Sequence, residues 1–233
     1  MDNTIIYLPG IAGDAGISPA LQQLADDGAR VVIPDIPGFN GATGFTPPVD
    51  YLDWLVVFWD CIDATGAATD GPVDVVGASV GGMIAAELAA LRPELVNRLA
   101  LLAPFGIADA DNMGFDLYAA RSTERLAHLF AKGVPDQVAQ RFARFGDEEA
   151  PVATYLSDIA AASLVWPLGD RGLDKRLHRI TCPKLVLWGG QDELLPTGLG
   201  EAWGGATVIE GAGHLMEWDT PDEVAAALRG FLA

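Results

Sequence analysis

The stretch VDVVGASVGGMIAAELAAL, from Val73 to Leu91, joins a continuous apolar run to a helical pattern through a G-x-S-x-G motif. A continuous run of apolar, β-branched residues is typical of a strand in a parallel sheet that is covered on both faces. Between a strand and a helix, Gly77 and Gly81 would let the chain reverse sharply, so that the turn holds the serine hydroxyl clear of the backbone. The stretch therefore predicts a parallel α/β sheet with Ser79 as a nucleophile just beyond a strand end.

The alternation of short apolar runs and helical patterns extends through most of the chain. Strands are predicted at Thr4–Leu8, Arg30–Pro34, Val73–Ala78, Arg98–Ala103, Lys184–Gly189 and Ala206–Glu210. Helices are predicted at Ser18–Asp27, Asp50–Thr65, Val80–Leu91 and Pro221–Leu232. Thr220 is expected to cap the last helix, with Glu223 completing a capping box. This alternation predicts a mostly parallel, doubly wound α/β sheet.

The alternation stops between residues 106 and 179, where helical patterns occur at residues 123–132, 135–145 and 150–166. A block of this length is too long for a simple crossover between two strands. Ligands of open α/β sheets bind beyond the carboxyl ends of the strands, where such a block would lie. We therefore predict a core of residues 1–105 and 180–233 and a helical cap of residues 106–179. A purely structural insertion is the alternative.

The composition is strongly acidic, with 32 acidic and 14 basic residues and a formal net charge of -18. Such a surface repels nucleic acid phosphates and anionic membranes, so neither is an expected partner. No apolar run has the length of a membrane span, and the N-terminus lacks the pattern of a signal peptide. Cys61 and Cys182 lack the spacing of a metal or redox pair, which favours two buried free thiols in a cytoplasmic protein.

The stretch GAGHLMEW, residues 211–218, contains the candidate base for the serine. A serine hydroxyl is a weak nucleophile until a neighbouring base takes its proton. His214 follows the last predicted strand, and the small residues before it would let the loop bend towards Ser79. His128 lies in the insertion and His178 lies among basic residues, so we expect both to face solvent or to pack locally.

An acidic partner is needed to fix the tautomer of the histidine and to stabilise the imidazolium. Asp192 lies three residues after Gly189, just past a predicted strand. Glu193 is the adjacent alternative, but its longer side chain and its position fit less well. The order Ser79, Asp192, His214 would place all three residues beyond strand ends at one edge of the sheet.

The Gly-rich stretch YLPGIAG, residues 7–13, is the candidate oxyanion hole. The backbone N–H groups of Ile11 and Val80 are the predicted pair of donors. An ordinary strand-to-helix turn is the alternative, whereas a phosphate loop is excluded because no Gly-Lys-Ser/Thr sequence follows. The predicted chemistry needs no cofactor, and the sequence contains no metal-ligand constellation.

Together these motifs resemble the α/β-hydrolase superfamily over nearly the whole chain. The stretch DIPGFNGAT is similar to the family's D-x-P-G-x-G-x-S loop, and RLHRITCPKLVLWGGQDELLP is similar to its return from the cap to the acid-bearing turn. The resemblance implies the α/β-hydrolase fold with Ser79, Asp192 and His214 as a triad. One departure is that Pro9 and Gly10 replace the usual His-Gly before the oxyanion turn.

A second departure is that the first strand corresponds to the family's third, so the fold is expected to be N-terminally shortened. An exposed sheet edge would then allow a homodimer, in addition to a small-molecule substrate as partner.

The function predicted from these residues is a serine hydrolase that cleaves a small to medium, largely apolar ester through an acyl-enzyme. Alternatives on the same triad are a carbon–carbon bond hydrolase, a cofactor-free lyase and an acyltransferase. A non-catalytic ligand receptor on this fold also stays open. Tyr118, Phe130 and Trp166 are candidate substrate contacts, although packing between cap and core would equally explain such residues.

Overall fold

The structure, a computed structural model, describes residues 4–13, 15–41, 45–109, 114–121, 124–166 and 171–233. One parallel sheet has the strand order β2-β1-β3-β4-β5-β6. Its strands are β1 (Thr4–Leu8), β2 (Arg30–Val32), β3 (Val73–Ala78), β4 (Val96–Leu102), β5 (Lys184–Gly189) and β6 (Thr207–Ile209). Every predicted strand is present and starts and ends within two residues of its predicted bounds. The predicted parallel α/β fold is therefore confirmed.

Strand β3 lies at the centre of the sheet and is buried along its whole length. It pairs with β1, where Leu8 faces Gly77, and with β4, where Leu102 faces Ala78. Since all the strands are parallel, their carboxyl ends meet at one edge, which is where open α/β sheets place ligands. The turns after β1, β3, β5 and β6 lie at that edge, and they carry the predicted site residues.

The helices pack on both faces of the sheet and in the insertion. They are α1 (Pro19–Asp26), α2 (Tyr51–Ala64), α3 (Val80–Leu91), α4 (Asp136–Ala139), α5 (Gly146–Val165), α6 (Met216–Asp219) and α7 (Pro221–Leu232). Side chains cap two of them, because Ser18 accepts the N–H of Leu21 and Asp50 accepts that of Leu52. All but the last residue of α3 are buried, since it packs against the sheet, α2 and α5.

The start of α7 differs from the predicted capping box. The Thr220 hydroxyl donates to the carbonyl oxygen of Met216 at 3.2 Å, so it belongs to the preceding short helix α6. Within the described first turn of α7, no N–H donates to this side chain. Pro221 does occupy the first helical position, and Asp222 and Glu223 complement the helix dipole there.

The insertion between β4 and β5 is less regular than predicted, although its described residues contain no strand. The predicted helix at 123–132 is a 3₁₀ turn over Arg125–Leu129, and its first residue lies outside the described residues. The predicted helix at 135–145 is divided into α4 and a 3₁₀ turn over Ala143–Phe145. Helix α5 begins at Gly146, because Asp147, Glu148 and Glu149 in its first turn favour the helix dipole ahead of Pro151.

The ends of the sheet are formed by two short strands, β2 and β6. The residues of β2 are exposed or half-buried, and its outer side pairs with no other described strand. A homodimer through this edge stays a prediction. The described helices include none that is both long and apolar enough to cross a membrane.

Both cysteines are free, but the prediction that they are buried is wrong. Cys61 and Cys182 are half-buried, and burial raises the pKa of each thiol.

Candidate active site

The turn around Ser79 is strained, and close backbone packing explains its glycines. Ser79 has φ of 56° and ψ of -119°, a conformation that residues other than glycine seldom adopt. A Cβ atom on Gly77 would lie 2.5 Å from the carbonyl oxygen of Gly81, and one on Gly81 would lie 2.1 Å from that of Leu8. The Ser79 N–H donates to the carbonyl oxygen of Leu102 at 2.8 Å. These contacts fix the turn and leave the serine side chain at the start of α3.

Three side chains that are distant in sequence form one hydrogen-bonded chain. Nε2 of His214 lies 2.7 Å from Oγ of Ser79, and Nδ1 of His214 lies 2.8 Å from Oδ2 of Asp192. All three side chains are fully buried. If Nδ1 carries the proton that Asp192 accepts, Nε2 is left to accept the serine hydroxyl. The structure thus brings the predicted nucleophile, base and acid together, while their catalytic roles remain predictions.

The turn after β5, residues 190–195 (the acid turn), holds Asp192 through its own backbone N–H groups. Oδ1 of Asp192 accepts the N–H groups of Leu194 and Leu195, each at 2.9 Å, so that Oδ2 is free to face His214. The alternative acid, Glu193, has a side chain that is 65% exposed and takes no part in this hydrogen-bonded chain. Its carboxylate instead contacts Nδ1 of His128 at 2.8 Å.

The base loop lies directly on the acid turn. A Cβ atom on Gly189 would lie 2.0 Å from the carbonyl oxygen of Gly213, and Gln191 donates its N–H to Ala212 at 2.8 Å. Gly211 provides the predicted bend, with φ of 73°. These contacts explain why small residues precede His214.

The other two histidines are not part of the hydrogen-bonded chain that contains Ser79. The ring of His128 stacks on Phe115 with centroids 4.0 Å apart, and its Nδ1 is engaged by Glu193. His178 is exposed in the 3₁₀ turn Leu177–Arg179. Their surroundings are those predicted, local packing for one and solvent for the other.

The predicted oxyanion loop packs against the nucleophile. Gly13 donates its N–H to the carbonyl oxygen of Gly10 at 3.0 Å, which closes a tight turn. A Cβ atom on Gly10 would lie 3.1 Å from Cβ of Ser79. Among the described residues, no acceptor takes the N–H of Ile11 or of Val80. Both donors therefore remain available, and their role stays a prediction.

The three candidate substrate contacts have different surroundings. Phe130 is buried, and its backbone lies against Gly213 in the base loop. Tyr118 is half-buried below the Arg125 guanidinium, and burial raises the pKa of its phenol. Trp166 lies at the end of α5 and is 51% exposed, so the structure does not bring it into the enclosed site.

Phe105 is a site residue that sequence reasoning missed. Its ring meets that of His214 edge-on, with centroids 5.7 Å apart, and its N–H donates to the carbonyl oxygen of Ser79 at 3.2 Å. It directly follows Pro104 after β4, and this position beyond a strand end was the available signal.

A buried carboxyl group below the base loop was also missed. Glu217 is fully buried, and its Oε1 accepts the hydroxyl of Tyr7 at 3.1 Å. Its Oε2 is buried and has no hydrogen-bond partner among the described residues. Burial raises the pKa of Glu217 to about 7, although the neighbouring His214 opposes the rise. A single acidic residue within the otherwise apolar stretch LMEW was the signal.

A cavity of about 410 Å³ adjoins the oxyanion loop and the residue after the nucleophile. Its lining is mainly apolar and includes Pro9, Val80, Ile36, Phe39 and Phe58. No group of three or more His, Cys, Asp or Glu residues that could hold a metal ion occurs in the part of the chain that the structure describes.

The chain matches the sequence profile of the alpha/beta hydrolase family over residues 5–227, and it belongs to that family. It is 27% identical over 215 residues to a pimeloyl-[acyl-carrier protein] methyl ester esterase of Neisseria meningitidis serogroup A, covering 85% of this chain and 66% of that protein. It is also 27% identical over 237 residues to a 2-hydroxy-6-oxo-6-phenylhexa-2,4-dienoate hydrolase of Comamonas testosteroni, covering 92% and 81% of the two chains. The chain thus spans slightly less than two thirds of the first relative's length.

The fold is similar to that of a solved bacterial membrane phospholipase A, with a TM-score of 0.81 and 23% identity. This match covers 99% of this chain and 78% of that chain. At such low identity the similarity concerns the fold alone. The relatives of this chain therefore include both esterases and carbon–carbon bond hydrolases.

Proposed function

We propose that the protein is a serine hydrolase that cleaves a small to medium, largely apolar carboxylic ester through an acyl-enzyme. The observation that carries the proposal is the buried chain of hydrogen bonds from Ser79 through His214 to Asp192, at 2.7 and 2.8 Å. A nucleophile, a base and an orienting acid in this order are the groups that activate the serine in a Ser-His-Asp triad. Membership of the alpha/beta hydrolase family supports the same chemistry.

In the proposed reaction, Oγ of Ser79 attacks the ester carbonyl while Nε2 of His214 takes its proton. The resulting oxyanion is stabilised by the N–H groups of Ile11 and Val80. His214 then gives the proton to the leaving alcohol, and Asp192 stabilises the imidazolium meanwhile. Water, deprotonated by the same histidine, cleaves the acyl-enzyme and restores the serine hydroxyl.

The cavity of about 410 Å³ supports an apolar substrate. Because Pro9 and Val80 line it, one of its walls is formed by the residues that flank the oxyanion loop and the nucleophile. Most pockets for small ligands combine such apolar walls with a few polar groups that fix orientation. We therefore propose that the acyl or alcohol chain of the ester occupies this cavity.

Carbon–carbon bond hydrolysis is the second candidate, and the similarity to the hydrolase of Comamonas testosteroni favours it specifically. This reaction would use the same three residues on a vinylogous diketone. The two candidates differ in the bond that is cleaved, and therefore in substrate preference rather than in the geometry of the triad.

A fluorophosphonate probe tests the proposal directly. We expect rapid labelling of the native protein at Ser79, none in Ser79→Ala, and a loss of ester hydrolysis of order 10⁶-fold in His214→Ala. Ser163→Ala is a matched control, because this serine lies on α5 and, within the part of the chain that the structure describes, its hydroxyl donates only to the carbonyl oxygen of Ala160 in its own helix. Absence of labelling in the native protein would reject a competent nucleophile and favour a receptor.

A panel of chromogenic esters, compared with a vinylogous diketone, then separates the two candidate reactions. Faster turnover of the esters supports the proposal, whereas faster turnover of the diketone favours carbon–carbon bond hydrolysis.

A further inference from the structure

Asp219 lies at the end of the short helix α6, five residues after His214, and it is almost fully buried. Its Oδ2 accepts the N–H of Gly213, the residue directly before the histidine, at 2.8 Å. The carboxylate therefore links the residues on the two sides of His214 by a hydrogen bond.

The same carboxylate also holds the insertion. Its Oδ2 accepts the N–H of Ala131 at 2.8 Å, and its Oδ1 accepts that of Lys132 at 3.2 Å. The ammonium group of Lys132 donates to the backbone carbonyl oxygen of Asp219 at 3.0 Å. Hydrogen bonds from N–H groups to a buried carboxylate are stronger than those between neutral groups. One side chain thus joins the base loop to the insertion.

Two further contacts show how closely these segments approach. Leu215, directly after the histidine, donates its N–H to the carbonyl oxygen of Leu129 at 3.0 Å. A Cβ atom on Gly213 would lie 2.7 Å from the backbone nitrogen of Ala131. Residues 129–132 of the insertion therefore contact the loop on both sides of His214.

From this geometry we propose that Asp219 is a positioning residue that holds the base, His214, in line with Ser79 by fastening its loop to residues 129–132. The inference rests on the proposed function only where it calls His214 the base. It predicts that loss of the carboxylate impairs the chemical step more than the binding of substrate, because Asp219 contacts the loop rather than the cavity. A displacement of reacting groups by about 1 Å costs of order 10²-fold in rate.

The test substitutes Asp219→Asn, which keeps the size of the side chain but replaces one acceptor oxygen with a donor amide. Asp222→Asn is the matched control, because Asp222 is an exposed carboxylate on α7 that, among the described residues, accepts only the side-chain amide of Gln23, at 2.7 Å. The first readout is the proton NMR resonance of the His214 Nδ1–H, which reports its hydrogen bond to Asp192 without any turnover. The chain has only three histidines, so this resonance can be assigned by His214→Ala. The spectra are recorded at a pH below the pKa of Glu217, so that this neighbouring carboxyl group is protonated.

We expect Asp219→Asn to shift or broaden this resonance and Asp222→Asn to leave it unchanged. The rate of fluorophosphonate labelling and kcat should fall by about 10- to 100-fold in Asp219→Asn, with KM changed much less. Active-site titration expresses these rates per folded molecule. Asp219→Glu, which retains a carboxylate, should recover part of the loss, and it replaces Asp219→Asn if that variant does not fold.

An unchanged His214 resonance, or native rates per folded molecule, would overturn the proposal. A shifted resonance in a protein whose native form is not labelled at Ser79 would support the positioning role and reject the proposed function instead.

Discussion

The acid and the base of the candidate triad contact each other but are held in different ways. Asp192 is held locally, since its Oδ1 accepts two N–H groups from Leu194 and Leu195 in the same turn. This turn follows β5 directly, and Phe115 of the insertion donates its N–H to the carbonyl oxygen of Glu193 at 3.1 Å. The carboxylate itself is therefore held by hydrogen bonds within its own turn.

His214 is held by contacts of its loop with residues that are distant in the sequence. On one side, Leu215 binds the carbonyl oxygen of Leu129, and on the other, the Asp219 carboxylate links Gly213 to the insertion. The base loop is therefore completed by residues inserted between two core strands. In this comparison, the insertion contacts the base loop on both sides of His214, as the proposed positioning role requires.

The largest effect in this comparison is expected from Asp192→Asn. The asparagine oxygen can still accept the N–H groups of Leu194 and Leu195, so the acid turn should keep its structure. Its amide would face Nδ1 of His214 and favour the tautomer with the proton on Nε2, which cannot accept the hydroxyl of Ser79. We expect kcat to fall by about 10⁴-fold, with a nearly unchanged melting temperature.

The matched control for that variant is Glu193→Gln. This neighbouring carboxyl group is largely exposed and contacts His128 rather than His214, so ester hydrolysis should stay close to that of the native protein. A larger loss of activity in Glu193→Gln than in Asp192→Asn would show that Asp192 is not the acid and that Glu193 is.

A smaller effect, on stability, is expected from the carboxyl group below the base loop. Burial raises the pKa of Glu217 to about 7 from an ordinary value of 4.5. The folded protein thus binds this proton more tightly than the unfolded chain does. The contribution of Glu217 to the free energy of unfolding is therefore fully present below about pH 4.5 and is lost as the pH rises through about 7. A difference of this size corresponds to roughly 3 kcal/mol of unfolding free energy.

Glu217→Gln removes this titration while keeping an acceptor for the hydroxyl of Tyr7. Denaturant unfolding at about pH 5 and pH 8 should therefore show a smaller loss of stability in Glu217→Gln than in the native protein. Glu201→Gln changes an exposed residue of the same type and should follow the native pH dependence. The same loss of unfolding free energy between the two pH values in all three proteins would show that Glu217 does not titrate in this range.

The core and the juxtaposition of the three candidate triad residues were predictable because their signals are local in the sequence. Continuous apolar runs identify the strands, and each site residue stands directly beyond one of them, as Ser79 does after β3 and Asp192 after β5. Parallel strands then bring these turns to one edge, whatever their separation in the chain. The strained turn of Ser79 is specified by the glycines that its backbone contacts require.

The insertion and the support of the base were not predictable in this way. Residues 125–129 have a helical pattern but form only a 3₁₀ turn, and the carbonyl oxygen of Leu129 at its end accepts the N–H of the distant Leu215. The role of Asp219 depends on Ala131 and Lys132, which are nearly ninety residues away in the sequence. No periodicity encodes a contact of that kind, and tertiary packing overrides local propensity there.

The smallest effects are expected from a pair of substitutions within the base loop, Gly211→Ala and Gly213→Ala. An added Cβ at residue 211 meets no atom within 4 Å, but φ of 73° strains any residue other than glycine. At residue 213 the Cβ would lie 2.7 Å from the backbone nitrogen of Ala131, so the insertion must move away from the loop.

Both variants should lower the unfolding free energy by about 1–2 kcal/mol. Only Gly213→Ala should also slow fluorophosphonate labelling of Ser79 per folded molecule, because only it separates the base loop from the insertion. Equal labelling rates in the two variants would mean that the position of His214 does not depend on contact between its loop and the insertion.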